Sequence, residues 1–302
     1  MIKDISAEDA REKIIEIYKK NVHGKKPDTS KMSKGHDGKK GHWLEDAMGS
    51  KRDASNSPDL FGYEMKTGQG KVSFGDWGPD YFIFRDEEKF PNLAGMKGMQ
   101  RKKLQKTNKD EIFLKAFGEW REAVEDTTKY KVDGKMISWQ DVGKNGYYSW
   151  SGKPSPYRVT DGFNEYGQAI VINSDDSVSV TYSHSKDRRE NKSKIVPKKF
   201  QTENLKLFGW STDWLKNKVE NKFNQHGWFK CNTKNEIFYE IIFGDRITLS
   251  KFLSWVKNGE VILDTRLKET RPDNTDRYGM MWRAPSNFWK SKSTFRYSGE
   301  TA

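Results

Sequence analysis

The sequence predicts a mixed α/β fold, with a mixed central sheet flanked by helices and the chain arranged in two lobes. Apolar residues recur at helical spacing in Ala10, Ile14, Ile17 and Tyr18. Short apolar or alternating runs, such as Tyr81-Phe82-Ile83-Phe84 and residues 261–267, have strand character. Helical and strand patterns interleave along the chain instead of segregating. With 302 residues the chain can form one large domain or two lobes that share an interface.

The elements follow in order. Ser6 with Asp9 three residues on is close to a capping box, which predicts a first helix over residues 7–20. HGKKPDTSKMSKGHDGKKG has almost nothing apolar and reads as a basic loop. Trp43, Leu44, Ala47 and Met48 fit one face of a short helix that Gly49 ends. Residues 62–66 and 72–74 predict strands joined by a glycine-rich turn, and 81–84 a fully buried strand. Phe113, Phe117, Trp120 and Val124 step by four, three and four, so a helix is expected over 111–126. The turn-rich GKNG and SGKPSP mark a lobe boundary near 141–156, which divides the chain into residues 1–145 and 146–302.

In the second half, 168–173 and 177–183 predict a hairpin around Ser174-Asp175-Asp176. The following run, HSKDRRENKSKIVPKK, reads as a solvated basic loop. Trp214, Leu215, Val219 and Phe223 predict a helix over 212–225, with Lys216, Lys218 and Lys222 around its polar side. A strand is expected at 238–243 and a helix at 250–257, stopped by Gly259. In the last strand, Val261, Leu263, Thr265 and Leu267 share one face, while Ile262, Asp264, Arg266 and Lys268 share the other.

Composition narrows the partners. Lys plus Arg is 55 against 43 for Asp plus Glu, a net charge of +12, and the chain holds eleven Trp. A basic, aromatic-rich chain suits a polyanion, and without a long basic amphipathic helix nucleic acid is expected ahead of a membrane surface. The single cysteine, Cys231, excludes an intramolecular disulfide and a thiolate metal cluster, reads as a packed core thiol, and fits a reducing compartment. No apolar run approaches the ~20 residues of a membrane span and no secretory leader is evident, so a cytoplasmic protein is expected.

The stretch PDLFGYEMK concentrates the chemistry. On a strand, Glu64 and Lys66 point to one face while Met65 points to the other. Taken alone, this is either a surface ion pair or the working end of a metal-dependent site. Asp59, at the preceding turn, can converge on Glu64, and two carboxylates with the Met65 carbonyl make a hard oxygen site suited to Mg2+. A lysine beside such a site can orient a water for attack on a phosphodiester. Glu45, in GHWLEDAMG, adds a helix carboxylate upstream. Other motifs are weaker: His36-Asp37 and His42 lack the order of an HNH nuclease, GQGK at 68–71 is no P-loop, and GxSxG and HExxH are absent.

The order Gly41…Glu45, Pro58-Asp59, Gly62-Tyr63-Glu64-Met65-Lys66-Thr67 resembles the MutH-related branch of the PD-(D/E)xK nucleases, and in it the MvaI, BcnI and LlaMI type of restriction endonuclease. A second patch, KFLSWVKNGEVILDTRLKETRPDNTDRYGMMWRAPSNFW, is similar to the C-terminal part of that branch. The resemblance implies a restriction-endonuclease-like core with two lobes around a DNA cleft. It implies Mg2+-dependent cutting of double-stranded DNA at a short site, leaving 5′-phosphate and 3′-hydroxyl ends. Asp59, Glu64 and the Met65 carbonyl would hold the metal, Lys66 would position the water, and Glu45 would support them. Lys39, Lys40, Arg266, Lys268, Arg271, Arg277 and Arg283 are the candidate DNA contacts, the arginines because their fork takes two acceptors of a guanine or a phosphate. The implied setting is a restriction-modification system with a cognate methyltransferase, and a monomer or dimer. The alternatives are a mismatch-repair nicking enzyme with the same chemistry and a non-catalytic DNA-binding protein.

Overall fold

The computed structural model describes residues 5–30, 38–50, 55–123, 129–132, 134–273, 275 and 278–299. The chain forms two compact units, each drawn from separated segments. The first comprises Met1–Gly75, Lys216–Ser254 and Arg283–Ala302, and the second Asp76–Leu215 and Trp255–Trp282. The turn-rich stretch 141–156, where a single boundary is expected from the sequence, lies inside the second unit. There the strand Gly146–Trp150 pairs on both sides, with Glu119–Glu122 and with Ile262–Lys268.

The first unit is built on a mixed four-stranded sheet. Its order is Tyr63–Lys66, Gly227–Lys234, Ile237–Gly244 and Phe295–Ser298, the first pair parallel and the others antiparallel. Helices Ala7–Asn21 and Lys39–Met48 supply the apolar layer against it. Ser6 caps the first helix, its side chain accepting from Asp9 N, as the capping signal predicts. Gly49, at φ 75°, ends the second in the left-handed conformation open to glycine. Ala10, Ile14, Tyr18, Leu44 and Met48 pack on Tyr63, Met65, Phe229, Cys231, Ile241 and Phe243. Each such large apolar side chain contributes about 1.5–3 kcal/mol on burial. Cys231 is a buried core thiol, as expected.

In the second unit, Tyr81–Phe82, Leu205–Trp210, Val178–Asp187 and Tyr166–Ile172 form an antiparallel sheet in that order. The last two strands are the expected hairpin. Residues 82–84 are buried as expected, but the backbone turns into a 3-10 helix at Ile83–Arg85 instead of continuing as strand. Strand Ile262–Lys268 alternates as predicted, with Leu263, Thr265 and Leu267 buried and Arg266 exposed.

Two expectations are corrected here. The helix expected over 111–126 ends at Phe117, after a π-helical turn Asn108–Phe113 and a short helix Leu114–Phe117. Gly118 is extended, and a Cβ there would lie 2.6 Å from Leu114 O and 2.7 Å from Ser149 O. The chain passes so close to the neighbouring strand that it continues as strand Glu119–Glu122, leaving Trp120 half exposed. Val124 lies outside the described residues. The basic run after the hairpin is also more than a solvated loop. Arg189 closes on Asp187 at 2.7 Å and donates to Ala116 O, while Lys192 Nζ donates to the carbonyls of His184 and Asp187.

Candidate active site

The turn before strand Tyr63–Lys66 brings Asp59 back towards Glu64. Phe61 and Gly62 both have positive φ, 48° and 83°, and Leu60 and Tyr63 exchange hydrogen bonds of 3.0 and 2.9 Å across them. Both central residues of a tight two-residue turn need this left-handed backbone. A Cβ on Gly62 would meet His226 Cδ2 at 2.5 Å, so only glycine fits beside that ring. Phe61 carries strain worth about 1–3 kcal/mol, which its surroundings must offset. The turn folds Asp59 back along the strand, where its Oδ2 accepts from Met65 N at 2.8 Å.

Strand alternation then separates packing from chemistry. Tyr63 and Met65 enter the helix-facing core, while Glu64 and Lys66 point to the opposite face, 3% and 5% exposed. Glu64 Oε1 accepts from Lys66 Nζ at 2.9 Å and pairs with Lys222 Nζ at 3.0 Å. Lys66 Nζ also donates to Phe74 O at 3.0 Å and lies 4.9 Å from the centroid of the Phe223 ring. Glu64 Oε2 is buried and has no hydrogen-bond partner.

Burial pushes the Glu64 carboxyl above the usual carboxylate range; the Lys66 ammonium opposes this, the Asp59 charge adds to it, and Lys222 opposes it. Burial likewise holds the Lys66 ammonium below the ordinary lysine range, with Glu64 pulling it back. A surface ion pair would show neither effect. A buried carboxylate with one oxygen held by two ammonium groups and the other oxygen unpaired, next to a second carboxylate, has the donor chemistry for a hard divalent cation. Among the described residues no three His, Cys, Asp or Glu side chains gather as a cation cluster. Asp59 and Glu64 therefore stand as a pair, to which the Met65 carbonyl can add an oxygen.

Two cavities flank the strand. One of about 280 Å3 is lined by Lys66, Thr67, Lys71, Ser73 and Arg283, so among the described residues Arg283 is the arginine picked from the sequence that lines this cavity. The other, about 1090 Å3, is lined by Lys39, Lys40, the glycine-rich turn after Lys66, Lys230 and Lys290. Lys39 and Lys40 thus line a cavity bounded elsewhere by the turn that follows Lys66, and Lys40 also binds Glu236 at 2.5 Å. Glu45 is half-buried, one helical turn after Gly41, whose Cβ position is 3.5 Å from Thr67 Oγ1. Arg266, Lys268 and Arg271 belong to the second unit. Glu269, the residue after Lys268, is taken by Lys144 and Tyr148 N. Arg271 lies 5.3 Å from the Tyr130 ring centroid. Arg277, His36 and Asp37 lie outside the described residues.

Sequence reasoning missed Lys222 as a partner of Glu64. It belongs to helix Thr212–Phe223, more than 150 residues from Glu64, and nothing in the E-x-K motif points to it. It also missed the strand Gly227–Lys234, the parallel neighbour of strand Tyr63–Lys66, because buried Lys230 and partly buried Asn232 interrupt its apolar pattern.

The chain matches the LlaMI restriction endonuclease family over residues 22–295. The type II restriction enzyme ScrFI of Lactococcus lactis subsp. cremoris is 32% identical over 297 residues, covering 94% of this chain and 97% of that enzyme. Among solved structures, the complex of restriction endonuclease MvaI with its cognate DNA aligns at 13% identity and a TM-score of 0.48, over 97% of this chain and 99% of that one. MvaI without DNA aligns at a TM-score of 0.38. The family match spans nearly the whole chain and the identity to ScrFI is high over the same length, so the chain belongs to the LlaMI restriction endonuclease family.

Proposed function

We propose that this restriction endonuclease hydrolyses phosphodiester bonds of duplex DNA at a short specific sequence with Mg2+, leaving 5′-phosphate and 3′-hydroxyl ends. Asp59, Glu64 and the Met65 carbonyl would hold the ion. The observation that carries this reading is the buried, unpartnered Glu64 Oε2 beside Asp59, with Oε1 already taken by Lys66 and Lys222. Bound there, Mg2+ would neutralise charge building on the phosphate and acidify a water.

The chain's own groups do the rest. Lys66 has its ammonium fixed by Glu64 and the Phe74 carbonyl, and is placed to hold the attacking water in line. Lys222 keeps Glu64 in one orientation, and Glu45 supports the site from the adjoining helix. Lys39, Lys40 and Arg283 would hold the backbone near the cut. Arg266, Lys268, Arg271 and Arg277 would hold or read the duplex, with the two compact units as catalytic and recognition lobes. The ScrFI relative is named a type II restriction enzyme; our reading places this chain in a restriction-modification system, beside a cognate methyltransferase, in the cytoplasm, as a monomer or dimer. No described helix is long and apolar enough to cross a membrane.

The test is direct. Purified protein with Mg2+ should turn supercoiled plasmid into discrete fragments and stop doing so in EDTA. A random smear, or full activity in EDTA, would overturn the reading.

A further inference from the structure

The sheet face that carries Glu64 and Lys66 continues across the parallel ladder. Glu64 is in register with Trp228 and Lys66 with Lys230, so the two lysines stand side by side on one face. Like charges placed opposite each other weaken a sheet. Lys230 is nevertheless 2% exposed. Its Nζ donates to Asn232 Oδ1 at 2.5 Å, and Asn232 Nδ2 donates to Glu240 Oε2 at 2.8 Å. Arg296 Nε takes the other Glu240 oxygen at 3.0 Å. This row fixes the Lys230 side chain through a neutral amide, and the carboxylate behind that amide is shared with Arg296.

Lys230 lines the larger cavity together with Lys39, Lys290, Gln69 and Asn287. Burial holds the Lys230 ammonium below the ordinary lysine range, Cys231 and Glu240 pull it back, and the nearby Lys290 adds to the lowering. A concave site that collects several cations, one of them buried and braced, concentrates positive potential for an anion. Thr67-Gly68-Gln69-Gly70, which follows Lys66 in the chain, lines this cavity, and two of its four residues have no side chain to keep a backbone away. Lysines are compact point charges suited to phosphate oxygens, whereas the paired acceptors of a base edge favour arginine.

We propose that Lys230 and Lys290, with Lys39, form a subsite for a backbone phosphate of the bound duplex that flanks the phosphate being cut. This rests on duplex DNA being the substrate. Each lysine that meets a phosphate adds about 0.9 to the slope of log affinity against log salt.

The experiment measures duplex binding in EDTA at a series of salt concentrations, for the wild type, Lys230→Met, Lys230→Arg and Lys290→Ala. The loss of affinity between about 50 and about 200 mM salt should shrink roughly threefold for Lys230→Met and for Lys290→Ala, equally on cognate and unrelated duplexes. Lys230→Arg, which keeps the charge, should retain the wild-type slope. Lys290 is exposed, so its variant tests the subsite even if Lys230→Met fails to fold. Wild-type slopes in Lys290→Ala and Lys230→Met would overturn the subsite. Absence of any duplex binding by the wild type would overturn the substrate reading itself.

Discussion

Glu64 and Glu236 are each held between two lysines, Glu64 by Lys66 and Lys222 at 2.9 and 3.0 Å, Glu236 by Lys26 and Lys40 at 2.6 and 2.5 Å. Their protonation moves in opposite directions. Hydrogen bonds from the two ammonium groups bring Glu236, on the surface, down to about 2, whereas burial drives Glu64 up despite the same kind of partners. On the surface, the charges were never taken from water and the pair only has to find each other. In the interior, desolvation outweighs the Coulombic gain, and the carboxylate is left with one unpaired oxygen. The difference teaches that ion pairing as such does not mark the proposed site; burial of an incompletely satisfied pair is what sets Glu64 apart from Glu236.

The comparison can be broken at several points. Glu64→Ala or Lys66→Ala should cost at least about a thousandfold in single-turnover cleavage, with duplex binding in EDTA retained. Asp59→Ala should do the same, and full plasmid cutting by that protein would remove Asp59 from the mechanism. Lys222→Met should lower cleavage roughly ten- to a hundredfold by loosening Glu64, with Lys222→Arg recovering most of it. Cleavage should also fall on the acid side at a pH above 4.5, the ordinary glutamate value, because a proton on Glu64 removes its charge. A pH–rate profile checks this, and an acid limb at or below 4.5 would contradict it.

The stability linkage has the same signs. Glu64, with its value raised in the fold, favours folding increasingly as pH falls through that value and loses the contribution as pH rises. Glu236 contributes fully above 4.5 and loses its contribution as pH falls to about 2. Glu236→Gln should therefore move the melting temperature at neutral pH far less than any of the interior changes, as expected of an exposed pair.

Much of the fold was legible because local rules and burial agree in it. Helix Ala7–Asn21, with its Ser6 cap, and the Gly49 stop need no knowledge of distant residues. The alternation of Ile262–Lys268 reports its own two faces. The stripe from Phe113 to Val124 misled because Gly118, which ends the helix, earns its role only from the approach of Ser149, a partner 31 residues away. In the site, Asp59, Glu64 and Lys66 were legible as a spacing. Lys222 and Lys230 were not, since each gains meaning only when a distant element is laid against strand Tyr63–Lys66.

The central claim is that Glu64, with one oxygen held by lysines and the other free, is the metal-holding acid. Calorimetric titration of Mg2+ into the duplex-bound protein tests it most directly, comparing wild type with Glu64→Gln, which keeps the side chain's size and removes its charge. A saturable Mg2+ site in the wild type that is lost or weakened at least about tenfold in Glu64→Gln is the predicted result. Equal Mg2+ affinity in the two proteins would contradict the account.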